Sequence, residues 1–127
     1  MIKLIKKGDV AALAALMDGR GGDKMSLIGF ADMRGWQPIH HAALANNAEI
    51  VALLLENGAS VDATTNENST ALHICAYNNC VEAAKIFLSA SCDISTRNAD
   101  GETAFDIAKA KNRSAILSLL QTRQDKT

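Results

Sequence analysis

His40, His41, His73, Cys75 and Cys80 are the residues of this chain with most chemistry to offer, since imidazoles and thiols serve both as zinc ligands and as partners in nucleophilic catalysis. Gly19-Arg20-Gly21-Gly22-Asp23-Lys24-Met25-Ser26 adds a glycine-bearing run with the flavour of a phosphate loop. Asn68-Ser69-Thr70 and Asn112-Arg113-Ser114 match the glycosylation sequon. Whether any of these groups can act depends on the elements that position them. Those elements declare themselves through a period.

Gly35-Trp36-Gln37-Pro38-Ile39-His40-His41-Ala42, Asn68-Ser69-Thr70-Ala71-Leu72-His73-Ile74-Cys75 and Gly101-Glu102-Thr103-Ala104-Phe105-Asp106-Ile107-Ala108 follow one pattern. His40, His73 and Asp106 lie 33 residues apart in succession. A fixed period over three copies is the signature of stacked repeats, which carry function on an exposed surface. Each copy reads as turn, helix, tight turn, helix and return loop. Asp32 to Gly35, Thr65 to Asn68 and Asn98 to Gly101 have turn chemistry, and Pro38 suits a first helical turn. First helices are expected over His40 to Ala45, His73 to Asn78 and Asp106 to Lys111. Asn46, Asn79 and Asn112 follow them, where a reversing chain needs a left-handed residue. Second helices carry the apolar faces of Ile50 to Leu55, Val81 to Leu88 and Ile116 to Leu120. Gly58 ends the first of these as a left-handed cap, and Ser91 stands at the matching place in the next copy, at a cost of up to about 1 kcal/mol.

The opening segment is a fourth, degenerate copy, with Lys7-Gly8-Asp9-Val10 as its inter-helix turn and Ala12, Leu13, Leu16 and Met17 as its second-helix face. The extra length falls in Asp18 to Ala31, a longer loop that is a second candidate contact. One domain over 1–127 is expected: 1–31 a degenerate N-terminal cap, 32–64 and 65–97 full repeats, 98–121 a C-terminal cap, and 122–127 a frayed tail.

The repeated geometry removes the chemistry. Equivalent residues of neighbouring repeats sit about 10 Å apart, the spacing of packed helices, whereas ligands sharing a zinc ion lie about 3 to 4 Å from each other. His40 and His73 therefore cannot share a metal. His73 and Cys75 diverge by about 200° around a helix. The glycine run lacks the adjacent Gly-Lys-[Ser/Thr] and follows a helix where a phosphate loop follows a strand. No catalytic residue, metal or cofactor is expected.

Composition bounds the rest. With 127 residues, a formal charge of −1 and five aromatic side chains, the chain fits one Ala- and Leu-rich helical domain with no electrostatic draw toward nucleic acid. Three cysteines without CxxC spacing point to free thiols and an intracellular setting, cytoplasmic or nuclear, where sequons go unused. Lys3, Lys6 and Lys7 read as a solvated helix face. No apolar run approaches a membrane span, and Asp9 and Asp18 bracket the short run from Val10 to Met17, against a signal peptide.

The motifs resemble ankyrin repeats, a family with a 33-residue period, a T-P-L-H-x-A signature and a G-A-D-V-N-A ending, here distributed among Pro38 to Ala42, Thr70 to His73, Thr103 to Ala108 and Gly58-Ala59-Ser60-Val61-Asp62-Ala63. The resemblance covers roughly residues 3 to 121. Gln37 replaces the signature threonine, Asp106 the histidine and Cys75 the alanine, and Asp106 keeps the ability to accept a hydrogen bond. The resemblance implies an all-α solenoid of stacked helix-turn-helix units with hairpin loops, in which His and Thr tie hairpin to helix. It also implies binding of a partner protein through hairpin tips and the concave face of the first helices.

On that frame the candidate contacts are Met33, Arg34 and Trp36; Asn66, Glu67 and Ser69; Asp100 and Glu102; and, at the ends of first helices, Leu44, Ala45, Tyr77, Asn78 and Lys111. Trp36 and Tyr77 are the single Trp and single Tyr, at positions that differ between copies, and such residues dominate interface hot spots. With Leu44 they are expected to form an apolar centre, rimmed by Arg34 and Lys111 and by Glu67, Asp100 and Glu102. Replacing Trp36 or Tyr77 by alanine is expected to weaken binding by about 2 kcal/mol with little change in folding. The expected molecule is a monomeric, non-enzymatic protein-protein interaction module or adaptor, similar in size to whole single-domain ankyrin proteins. The alternative is a regulatory or substrate-targeting ankyrin domain of a larger enzyme or signalling protein.

Overall fold

Small residues fall where the first helices must be covered on several sides. The computed structural model describes residues 2–17 and 28–125. Among these, eight helices form four antiparallel pairs: α1 (Ile2–Lys7) with α2 (Val10–Met17), α3 (Pro38–Ala45) with α4 (Ala48–Glu56), α5 (Ala71–Asn78) with α6 (Val81–Ser89), and α7 (Ala104–Ala110) with α8 (Ser114–Asp125). The first helices α1, α3, α5 and α7 stack in one layer, and the second helices α2, α4, α6 and α8 form the other. Within α3 and α5 six consecutive residues are buried in each, Pro38 to Ala43 and Ala71 to Ala76. That is the pattern of a helix with neighbours all round, and Ala42, Ala43, Ala71 and Ala76 let those neighbours approach. Terminal α7 buries only Ala104, Ile107 and Ala108. Ile5, Leu13, Ile39, Ile50, Leu54, Leu72, Phe87, Ile116 and Leu120 supply the bulk between layers.

The turns have the expected backbone cause. Asn46, Asn79 and Asn112 are left-handed, with φ of 54, 58 and 58°, and Gly8 (72°) does the same for the opening pair. Gly58 (104°) and Ser91 (62°) close α4 and α6, with Ala59 N–H donating to Leu54 O at 3.0 Å and Cys92 N–H to Phe87 O at 3.3 Å. Ser91 keeps the left-handed geometry that glycine adopts freely.

First helices begin two residues earlier than the sequence spacing predicts, at Pro38, Ala71 and Ala104. The reason is that the signature is a cap: Thr70 and Thr103 are extended, and each hydroxyl accepts the N–H of the third helical residue, His73 or Asp106. At the other end α8 runs through Asp125, into the segment 122–127 expected to fray, with Thr122 Oγ1 donating to Ser118 O at 2.9 Å. Gln and Arg after Leu120 hold helix well enough to continue the last turn. The opening repeat's Leu13 and Met17 are buried, while Leu16 is exposed. Of the loop expected over Asp18 to Ala31, residues 18–27, including the glycine run, lie outside the described residues. Ile28 is buried and Phe30 exposed.

Candidate functional site

Three hairpin turns in one register build the face beside the first helices. Asp32 Oδ1 accepts the N–H groups of Arg34 and Trp36, both at 2.9 Å. Thr65 Oγ1 accepts those of Glu67 and Ser69 at 3.2 and 3.3 Å. Asn98 Oδ1 accepts those of Asp100 and Glu102 at 3.0 and 2.9 Å. Gly35, Asn68 and Gly101 then turn the chain with positive φ. Successive hairpins lie on one another, Asn66 N–H donating to Arg34 O at 3.0 Å and Ala99 N–H to Glu67 O at 2.8 Å. Asp32, Thr65 and Asn98 open the three turns expected from the sequence, but their role as side-chain anchors of those turns was not foreseen. The signal was present, since Asp32, Thr65 and Asn98 are themselves 33 apart and all three types favour turns.

The histidines tie this face to the helices. His40 Nδ1 accepts Gln37 N–H at 2.9 Å, and Nε2 donates to Ala63 O at 2.9 Å. His73 repeats the arrangement, accepting from Thr70 N–H at 3.0 Å and donating to Glu102 O at 2.9 Å. Acceptance at Nδ1 fixes the neutral Nε2–H tautomer. Burial pushes both imidazoles below their ordinary value, against the opposing pull of the carbonyls they serve. Both ring nitrogens of each are therefore occupied. Asp106 fills the same place through a carboxylate, its Oδ2 accepting Thr103 N–H at 3.0 Å. Cys75 is fully buried in the position that Ala42 and Ala108 take in the adjacent repeats, and burial pushes its thiol well up, which makes it a poor nucleophile.

Position by position, the three copies fill this frame differently. In the first, His41 Nε2 meets Asp32 Oδ2 at 3.2 Å, the Trp36 ring lies 5.3 Å from the His41 ring, and the Arg34 guanidinium sits 4.7 Å from the Trp36 ring centre. The Trp36 N–H chiefly, with the Arg34 N–H and His41, holds the Asp32 carboxyl below its usual range despite some loss of hydration. In the second copy the corresponding residues are Thr65, Ile74 and Ser69. A hydroxymethyl stands where the indole was, and a groove of about 260 Å³ opens.

That groove gathers seven of the expected contact residues: Trp36, Glu67, Ser69, Tyr77, Asn78, Asp100 and Glu102. Thr65, His73, Ile74, Asn98 and Ile107 complete its lining and were not foreseen, although Ile74 and Ile107 share the register of His41. Met33, Arg34 and Asn66, with Trp36 and Glu67, line an adjoining depression of about 340 Å³. Lys111 stands at the groove edge, its Nζ 4.4 Å from the Tyr77 ring centre. Leu44 and Ala45 are exposed but line neither hollow, so the expected apolar centre of Leu44 with Trp36 and Tyr77 does not form around them. Met33 (96 % exposed) and Tyr77 (56 %) stand in solvent. Trp36 is half-buried and packs against the core, so its role is partly structural. Among the described residues no cluster of His, Cys, Asp and Glu has the geometry to hold a metal ion, and no helix is long and apolar enough to cross a membrane.

A family model of ankyrin repeats in three copies matches residues 1–98 and again 65–127. Similar proteins include protein phosphatase 1 regulatory subunit 12A of Mus musculus, 34 % identical over 72 % of this chain and 9 % of that protein. Putative ankyrin repeat protein FPV219 of fowlpox virus is 33 % identical over 67 % of this chain and 20 % of its own length. The 2-5A-dependent ribonuclease of Mus musculus is 39 % identical over 46 % of this chain and 8 % of that enzyme. The chain thus spans a small part of the relatives it matches. The helix pairs, the capped hairpins and the full-length family match agree: the chain belongs to the ankyrin repeat family, whose repeats are protein-interaction modules.

Proposed function

We propose that the chain binds a partner protein along the hairpin tips and first helices, with the groove beside Tyr77 as the centre of contact. The observation that carries this reading is the gathering of Trp36 and Tyr77 around one open hollow, since aromatic anchors in pockets carry most interface energy. Met33, Arg34, Asn66 and Lys111 extend the surface, and Leu44 and Ala45 stand at its outer edge. The chain itself performs no chemistry on this reading, supported by the occupied ring nitrogens of His40 and His73 and a raised Cys75 thiol. It acts as a monomer, without nucleic acid, inside the cell, where three free cysteines are at home. Residues 1–31, 32–64, 65–97 and 98–121 act as its successive repeats in one domain.

Affinity capture with wild type, Tyr77→Ala and Lys85→Ala tests the surface. Lys85 is exposed on α6, in the layer of second helices. Proteins retained by wild type and Lys85→Ala but lost by Tyr77→Ala are the expected result. An identical set from all three would count against the groove. A second reading, a targeting or regulatory domain within a larger protein, is favoured by the length of the relatives, of which the chain matches 9 % or 20 %. A native reading frame extending well past Thr127 or before Met1 would support it.

A further inference from the structure

The groove beside Tyr77 has an apolar floor of Ile74 and Ile107 and three carboxylates, those of Glu67, Asp100 and Glu102, and among the described residues no Lys or Arg lines it. Glu67 and Asp100 form no ion pair among the described residues. The neighbouring cations stand at the rim and pair with none of these carboxylates: Arg34 lies over Trp36, Lys111 over Tyr77, and Arg97 donates through Nη1 to Gly101 O at 2.8 Å. Both aromatic rings at the groove thus already draw cations of the chain itself, at 4.7 and 4.4 Å. Carboxylates that form no ion pair, set in a concave and partly apolar hollow, focus their field on whatever enters.

Resting on the reading of this groove as the contact centre, we propose that its occupant is a basic segment of the partner protein. An arginine or lysine of that segment lays its methylene stem on Ile74 and Ile107 and brings its cation to Glu67 and Asp100. Long basic side chains suit such a site because stem and head have opposite needs. A carboxylate-bearing segment would meet repulsion at the same place, so the groove selects by charge as well as shape.

Selection from a displayed library of random peptides tests this, using the whole chain as bait. Peptides that need Tyr77, by comparison with Tyr77→Ala, are expected to be rich in Arg and Lys. Their affinity is expected to fall with added salt and to drop about tenfold on Glu67→Gln/Asp100→Asn. Both carboxylates are exposed, so the double variant should unfold at the wild-type temperature. The single variants Glu67→Gln and Asp100→Asn give partial losses that report independently of any folding defect in the pair. Peptides that need Tyr77 yet carry no basic excess, or bind the neutralised variant as tightly as wild type, would overturn the basic occupant while leaving the groove in place. Peptides that bind Tyr77→Ala as well as wild type would overturn the groove itself.

Discussion

The hairpin of residues 32–37 and its copy at 65–70 share one backbone and diverge in what stands on it. Both are anchored by a side-chain oxygen that accepts two N–H groups, from Asp32 in one and Thr65 in the other. Asp32 has a second oxygen to give, and His41 takes it. Trp36 covers His41 and Arg34 covers Trp36, so a column of four side chains closes the space. Thr65 has no second oxygen, Ile74 asks for none, and Ser69 is too small to cover either. The same frame is therefore closed in one repeat and open in the next. A solenoid can make a site by omission, through a small residue where its neighbour has a large one.

The comparison is most easily broken at the turns. A Cβ on Gly35 would meet the backbone nitrogen of Asn66 at 2.6 Å, at φ of 78°, because the next hairpin lies against it. Gly101 has nearly the same φ and nothing within 4 Å, since no other hairpin among the described residues lies against it. Gly35→Ala is expected to lower folding stability by about 2 to 3 kcal/mol and Gly101→Ala by about 1 kcal/mol, as read by urea unfolding. Equal losses would mean that the hairpins do not support one another.

Replacing the two aromatic residues separates closure from contact. Trp36→Ala removes the cover of the His41 column and is expected to cost about 1 to 2 kcal/mol of stability. Tyr77→Ala, at a side chain 56 % exposed, should leave stability within about 0.5 kcal/mol while weakening partner binding by about 2 kcal/mol. Calorimetric unfolding and titration with a captured partner check both. Two variants equally stable would show Trp36 to be as free as Tyr77.

Acid should treat the two copies alike. Burial holds His40 and His73 below the ordinary imidazole value of 6.5 in the folded chain, so the unfolded chain binds the first protons as pH falls. Their stabilising contribution is fully present above 6.5 and is lost as pH drops from there through the lower folded values. Urea midpoints should be flat from pH 8 to 7 and decline below about 6.5. His40→Asn and His73→Asn should each reduce the slope. A slope unchanged by both would place the titrating groups elsewhere.

The smallest effect lies at the ends of the second helices. Ser91 holds φ of 62° where Gly58 stands in the preceding copy. Ser91→Gly is expected to raise stability by up to about 1 kcal/mol, seen as a higher melting temperature. A lower one would mean that the Ser91 side chain contributes more than its backbone costs.

How much of this was legible in the sequence follows from what repeats. The left-handed Asn46, Asn79 and Asn112 recur with the period, and recurrence exposes a backbone cause, whereas the caps at Thr70 and Thr103 were not read and the first helices were started two residues late. The groove was half legible. Trp36 and Tyr77 stood out as exceptions, but whether an exception fills space or leaves it depends on its neighbours in three dimensions. Trp36 closes on His41 because Asp32 holds that histidine. Leu44 shares Tyr77's position in the repeat yet lies outside the hollow, because the hollow opens between the second and third copies, which carry Ser69 and Glu102 where the first carries the indole.

Affinity of a captured partner for Ser69→Trp, measured beside Lys85→Ala, tests the central claim most directly. An indole at Ser69 restores in the second copy the cover that Trp36 gives the first, and fills the groove from above its Ile74 and Ile107 floor. The account predicts that Ser69→Trp loses at least about 2 kcal/mol of binding with folding intact, while Lys85→Ala binds as wild type. A filled groove that binds its partner undiminished would contradict it.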